Sequence, residues 1–202
     1  MDDANEREIR DLVDGLCRIV MHRDPAAAVH LEATSALSER IAREMGLPPE
    51  AVFRASIAGR LHDLGMVAVP SRISAKPGPP DRLERDELEM HPIYGASILD
   101  GFARLEQFSD IVRAHHERAD GKGYPHGLAD YDIPIEAKIV AVAEAFHSMT
   151  TDRPFARART PQRALAELYR CRDSQFDANA VNTLCALMHW DPATAEEGRE
   201  AS

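Results

Sequence analysis

The 202-residue sequence has few aromatic residues, no long apolar run and no paired cysteines. Aromatic side chains make up 5% of the chain, while aliphatic residues and alanine are plentiful, which suits the packing of helices. Cys17, Cys171 and Cys185 are odd in number and lack a Cys-x-x-Cys spacing, so we expect free thiols in a reducing cytosol. No apolar run reaches membrane-spanning length, and the acidic N-terminus is unlike a signal peptide. The sequence therefore predicts a cytoplasmic protein that does not enter the membrane.

Positive charge is scarce as well. The chain has 24 Lys and Arg against 34 Asp and Glu, which gives a formal net charge of -10. This balance argues against nonspecific nucleic-acid binding driven by overall charge, so no nucleic-acid partner is predicted. A small anionic ligand is still compatible with the composition, because bound metal ions reverse the local field.

Apolar residues recur at helical spacing along most of the chain. The sequence predicts an all-α bundle of about seven or more helices with almost no strand. We expect an N-terminal helix in residues 1–23, a main domain in residues 24–190 and a flexible tail in residues 191–202. Residues 67–80 contain four prolines and are predicted to be a loop. Capping residues or prolines mark the expected starts of later helices, at Asp24, Pro49, Pro92, Thr160 and Asp177.

The densest cluster of potentially functional residues lies in residues 114–125, Ala-His-His-Glu-Arg-Ala-Asp-Gly-Lys-Gly-Tyr-Pro. Neighbouring residues in a helix point about 100° apart, so His115 and His116 reach one metal ion only from a helix end. Gly121 and Gly123 would end that helix and let the backbone fold back over the histidines. Taken alone, the pair is more typical of two solvated histidines at a polar helix end.

Three upstream elements change this interpretation: His30, the doublet His62-Asp63, and His91. Imidazoles with one carboxylate suit Fe, Mn or Zn. In this order, followed by Asp-Gly-Lys-Gly-Tyr-Pro, the chain resembles the HD-GYP phosphodiesterases over residues 24–176. The His-Asp doublet is a weak signal by itself, whereas His-His-Glu-x-x-Asp-Gly-x-Gly-Tyr-Pro is a specific one.

The resemblance implies an HD-type helical bundle with a two-metal centre. Its metals would be Fe or Mn, with Ni or Zn also possible. One metal would be bound by His30, His62, Asp63 and Glu144, and the other by Asp63, His91, His115 and His116. Asp63 would be the bridging, catalytic carboxylate. The substrate-binding residues would be Tyr124, Arg153, Gly121 and Gly123.

The implied reaction is hydrolysis of cyclic di-GMP to pGpG and GMP by a hydroxide shared between the two metals. Glu117 is expected to support the site by holding the free N–H of a histidine. Regulation would come through a homodimer or a separate signalling protein.

The chain also departs from the family pattern. Met66 stands where relatives have a phosphate-binding lysine, and a thioether carries no charge. Glu144 is one methylene longer than the family's aspartate. His147 replaces a second aspartate, and a neutral packing role is favoured over an extra metal ligand. We therefore expect reduced turnover. Two alternatives stay open: a degenerate module that binds metal or nucleotide and signals through protein contacts, and a phosphohydrolase for another cyclic dinucleotide.

Overall fold

The computed structural model describes residues 3–152 and 157–193, and within them the chain is all-helical, as predicted. The α-helices are α1 (Asp3–Arg23), α2 (Ala27–Glu44), α3 (Pro49–Leu61), α4 (Ser71–Ser74), α5 (Arg82–Leu88), α6 (His91–Asp100), α7 (Ser109–Ala114), α8 (Ile135–Thr150), α9 (Pro161–Arg170) and α10 (Ala178–Leu187). The same residues form no strand, only two isolated bridges. None of the described helices is long and apolar enough to cross a membrane. Arg153 and most of the predicted tail lie outside the described residues.

Local capping chemistry explains several helix starts. Pro49 occupies the first turn of α3. The side chains of Thr160 and Asp177 accept backbone N–H bonds at the starts of α9 and α10, as predicted. The expectation for Asp24 was wrong, because α2 begins at Ala27. The Asp24 carboxylate accepts the N–H of Ala26 at 3.0 Å, so it stabilises a turn before the helix instead.

The proline-rich loop contains more helix than predicted. A 3-10 helix covers Leu64–Ala68, and α4 forms one turn at Ser71–Ser74. Pro70 directly precedes α4. This position tolerates proline because the first N–H groups of a helix have no intrahelical partner. Asp81 and Glu84 then form a reciprocal capping box that starts α5.

Two groups of buried apolar side chains hold the bundle together. The first joins α1 and α3 to the segment around α7, through residues such as Val13, Ile57 and Phe108. The second joins α2 to α8, α9 and α10, through residues such as Ile41 and Leu168. Since α2 and α3 pack against each other and against α8, the ends of several helices meet between the two groups. The conspicuous histidines of the sequence lie at this junction.

Candidate metal centre

The seven histidine and acidic ligand candidates come from five different helices or their ends. His30 lies in α2 and Glu144 in α8, whereas His62 is the residue that ends α3. His91 is the first residue of α6, and His115 directly follows α7. Helix ends bring imidazoles together because a side chain there can point along the helix axis toward a neighbouring element.

Three of the histidines form one potential metal site, which we call the histidine site. The ligand atoms of His91, His115 and His116 lie within 4.8 Å of one another. The Nε2 atoms of His91 and His115 are 3.2 Å apart. The Nδ1 atom of His91 is 2.8 Å from the Leu88 carbonyl oxygen, and that of His115 is 2.6 Å from the Val112 carbonyl. A proton on each Nδ1 leaves Nε2 free as the ligand atom.

A second group, which we call the mixed site, combines His30, His62 and Glu144, whose ligand atoms also lie within 4.8 Å of one another. The Nε2 atoms of His30 and His62 are 3.1 Å apart. The Nδ1 atom of His62 is 2.9 Å from the carbonyl oxygen of Gly59, which again leaves Nε2 available. Glu144 also lies 3.9 Å from the Nδ1 atom of His116, so the two sites are adjacent.

Asp63 faces both sites with different oxygens. Its Oδ1 atom is 3.5 Å from the Nε2 atom of His91 in the histidine site. Its Oδ2 atom is 3.5 Å from the Nε2 atom of His62 and 3.8 Å from that of His30 in the mixed site. This is the arrangement needed for one carboxylate to bridge two metal ions.

The electrostatics leave the ligands in the protonation states that bind metal. Burial alone would raise the pKa of Asp63, but the surrounding imidazoles, beginning with His62 and His91, lower it to about 2. Burial lowers the pKa of His91, and it moves the pKa of His115 well below the ordinary value. Burial, with the neighbouring His91, lowers the pKa of His116 to about 3. Near neutral pH Asp63 is therefore an ionised carboxylate, and the three histidines of the histidine site are neutral imidazoles, which are the forms that bind divalent metal ions.

Close backbone packing brings Asp63 to the histidine site. Gly65, two residues later, lies so near the start of α6 that a Cβ atom there would overlap the carbonyl of His91 and the amide of Gly95. A glycine is needed here because no other residue allows this approach. In the sequence, Gly65 was only one letter of the motif around His62 and Asp63. Its packing role could not be predicted there, because it depends on a contact with α6.

The glycine-rich loop folds back over His116. A Cβ atom on Gly123 would overlap the backbone of residues 116–118, and Gly121 adopts a positive φ of 72°. The ring of Tyr124 packs on His116, with centroids 4.7 Å apart and planes inclined by 32°. The structure thus places Tyr124 beside the histidine site, Gly123 against the backbone of His116, and Gly121 at the turn of the loop.

The expected role of Glu117 was wrong. Its buried carboxylate accepts the backbone N–H groups of His126 at 2.7 Å and Leu128 at 2.9 Å. Glu117 therefore anchors the loop that carries Tyr124 and does not hold an imidazole. A buried carboxylate needs hydrogen-bond donors, and these two loop amides supply them.

His147 makes a contact that was not predicted from the sequence. Its Nδ1 atom is 3.0 Å from the Nδ1 atom of His30, a polar contact that the expectation of a neutral packing residue did not include. This contact leaves the Nε2 atom of His30 directed toward His62 and Asp63. The sequence did offer one signal: His147 lies one helical turn after Glu144, which places both residues on the same face of α8. The contact with α2 itself spans 117 positions of sequence.

A cleft of about 360 Å³ opens beside Asp63. Met66, at the position where the resemblance implied a lysine, lies on its wall, together with Arg23 from the end of α1. Arg23 precedes the recognised motif in the sequence, so the motif gives no sign of its position in the cleft.

Comparison with known proteins agrees with this geometry. A family model of the HD domain matches residues 15–180. The chain is 37% identical over 186 residues to the cyclic di-GMP phosphodiesterase response regulator RpfG of Xanthomonas campestris, covering 91% of this chain and 49% of the relative. It is 33% identical over 184 residues to the 3'3'-cGAMP-specific phosphodiesterase 2 of Vibrio cholerae, covering 90% of this chain and 35% of the relative. The chain thus spans half or less of the length of these relatives.

A solved structure shares the fold. Bd1817, an HDG"Y"P protein from Bdellovibrio bacteriovorus, superposes with a TM-score of 0.65 at 22% identity. The match covers 79% of this chain and 51% of that protein. At this level of identity the likeness concerns the fold alone.

Proposed function

Since the chain belongs to the HD domain family, we propose that it is a metal-dependent phosphodiesterase for cyclic dinucleotides, with cyclic di-GMP as the first candidate substrate. The family assignment rests on the match over residues 15–180. The observation that carries the proposal is the position of Asp63, whose two oxygens face two separate groups of ligand atoms.

Each ligand group would hold one divalent metal ion, with Fe or Mn preferred by the mixture of imidazole and carboxylate donors and Ni or Zn also compatible. Two metal ions supply an acidified water and neutralise charge on a phosphodiester. Asp63 would supply one ligand oxygen to each site. Tyr124 forms the edge of the site over His116, where its ring can contact a nucleobase or sugar. Gly123 allows the loop backbone to lie close to the same histidine.

The experiment is hydrolysis of cyclic di-GMP by protein loaded with Fe or Mn, with products separated by chromatography and metal content measured on the same samples. We expect conversion to pGpG and then GMP. Asp63→Asn should abolish conversion, whereas the exposed Asp132→Asn serves as the matched control and should leave it unchanged. No conversion by protein that holds two metals would contradict the proposal.

A second candidate substrate is 3'3'-cGAMP, which the name of the Vibrio cholerae relative specifies. The same assay with both dinucleotides ranks them by kcat/KM. A third candidate function, a binding module that signals through a protein partner or as a homodimer, is favoured by Met66 in the cleft beside Asp63. Nucleotide binding without hydrolysis in the metal-loaded protein would support that function over the enzyme.

A further inference from the structure

The cleft beside Asp63 receives a cation from outside the family motif. We propose that Arg23, the last residue of α1, binds a phosphate group of the cyclic dinucleotide and so supplies the positive charge that Met66 lacks. This inference rests on the proposed function, because it assigns a residue to the substrate of the same site.

The position of Arg23 carries the first part of the argument. Arg23, Met66 and Asp63 line one cleft of about 360 Å³. Its volume is within the range of pockets that bind small molecules. A phosphate placed in this cleft next to Asp63 would therefore have both the Arg23 guanidinium and the uncharged thioether of Met66 on the cleft wall.

The hydrogen bonds of Arg23 orient its guanidinium and leave donors available. Its Nη1 and Nη2 atoms donate to the backbone carbonyls of Val67 and Val69. Its Nη2 atom also lies 3.3 Å from the hydroxyl oxygen of Ser71 and 3.4 Å from that of Ser74. A guanidinium has five N–H donors, so two carbonyls do not saturate it. The two hydroxyl groups are further donors to a phosphate oxygen.

The charge of Arg23 is also uncompensated, in contrast to arginines elsewhere in the fold. Arg60 forms an ion pair with Asp14, and Arg118 forms one with Asp120. Within residues 3–152 and 157–193, Arg23 has no carboxylate within ion-pair distance. Asp24 lines the same cleft, but its carboxylate accepts the N–H of Ala26. A guanidinium held by neutral carbonyls keeps its full charge for an anionic ligand.

The test compares Arg23→Ala and Arg23→Lys with Arg18→Ala, which removes another exposed arginine from the same helix. Dissociation constants are measured by calorimetry on metal-loaded protein, with a non-hydrolysable phosphorothioate analogue of cyclic di-GMP and with inorganic phosphate. Metal content, kcat/KM and melting temperature are measured in parallel.

We expect Arg23→Ala to weaken binding of the analogue about tenfold, as for loss of one charge-assisted contact, with metal content unchanged. The difference in affinity between Arg23→Ala and the parent protein should be smaller at high salt, because salt screens the attraction between the guanidinium and the phosphate. Arg23→Lys should bind the analogue with an affinity between those of Arg23→Ala and the parent protein, because lysine keeps the charge but lacks the planar set of guanidinium donors. Arg18→Ala should bind like the parent protein.

The outcomes separate this proposal from the proposed function. Unchanged binding in Arg23→Ala, with only a lower melting temperature, would mean that Arg23 merely ties α1 to the loop after Asp63, and would overturn the proposal while hydrolysis stands. If Arg23→Ala binds the analogue more weakly than the parent protein, and the parent protein does not hydrolyse cyclic di-GMP, the result would support the role of Arg23 and refute the enzymatic function. A parent protein that holds two metals but binds neither probe would overturn both.

Discussion

The two candidate metal sites orient their histidines in different ways. In the histidine site, His91 and His115 bond to carbonyl oxygens three residues earlier, at the ends of the preceding helical segments. In the mixed site, His62 does the same at the end of α3, but His30 lies inside α2 and contacts His147 of another helix. A ligand at a helix end can be oriented by its own free carbonyls, whereas a ligand within a helix depends on a second element.

This difference implies that the histidine site is fixed largely by backbone geometry and the mixed site partly by the packing of α8 on α2. Substitutions in α8 should therefore affect the mixed site more than the histidine site. Asp63 is the residue that both sites share, so its substitution should affect both of them.

The largest effect is expected for Asp63→Ala, which should remove both metal ions, because each site loses an anionic ligand and the histidine site keeps only imidazoles. Metal content per chain is the measurement. His30→Ala should mainly lower metal content at the mixed site. Unchanged metal content in the Asp63 variant would contradict the bridging assignment.

Gly65→Ala should displace the turn after Asp63 from the start of α6, because the added Cβ overlaps backbone atoms that cannot rotate away. We expect a loss of about 1–3 kcal/mol in the free energy of unfolding and weaker metal binding at the histidine site. Gly15→Ala is the matched control, since its Cβ meets no atom within 4 Å in the interior of α1. That control should be stabilised by about 0.5–1 kcal/mol. Equal unfolding free energies for the two variants would refute the packing argument.

The metal-free protein should lose stability as the pH falls from 7 to 5. Burial lowers the folded-state pKa of His116 to about 3, so below pH 6.5 the unfolded chain takes up a proton that the folded chain does not. His116 alone should lower the free energy of unfolding by about 2 kcal/mol at pH 5. The lowered pKa of His115 should change this free energy in the same direction. Urea unfolding at several pH values measures this. His116→Gln should flatten the dependence, and an unaltered slope in that variant would contradict the burial argument.

His147→Ala should weaken metal binding at the mixed site about 10- to 100-fold and leave the histidine site unchanged, as expected for loss of a group that orients a ligand. Chelator competition should resolve one weakened and one unchanged affinity. His147→Asn, which can still hydrogen-bond the Nδ1 atom of His30, should recover part of the loss. The exposed His126→Ala is the control. Equal weakening of both sites would remove the distinction between them.

The smallest effect is expected for Met66→Lys, which adds a second cation to a cleft that already contains Arg23. Turnover of cyclic di-GMP should change less than about tenfold in the native background. The same substitution should raise turnover more in the Arg23→Ala variant, because there it restores a missing charge. A gain that does not depend on Arg23 would show that the two residues act separately.

The sequence predicted the helical fold because apolar periodicity and capping residues are local signals. Thr160 and Asp177 acted as expected because a cap needs only the next three residues. The two ligand groups also matched the motif order, since each histidine marks an element that the fold brings together. Whether those residues bind metal is still a prediction.

The missed features all depend on contacts between distant segments. His147 reaches His30 across 117 positions, and Arg23 reaches the Val67 carbonyl across 44. Glu117 accepts hydrogen bonds from loop amides 9 and 11 positions further along the chain, which depends on how the loop folds back. Periodicity and motif spacing carry no information about which side chain faces which across an interface, so these roles required the structure.

The most direct test of the central claim is an anomalous-scattering map from crystals of Mn- or Fe-loaded protein. The account predicts two metal peaks about 3.5–4 Å apart, one on each side of the Asp63 carboxylate, with His91, His115 and His116 around one and His30, His62 and Glu144 around the other. A single peak, or a second peak that Asp63 does not contact, would contradict it.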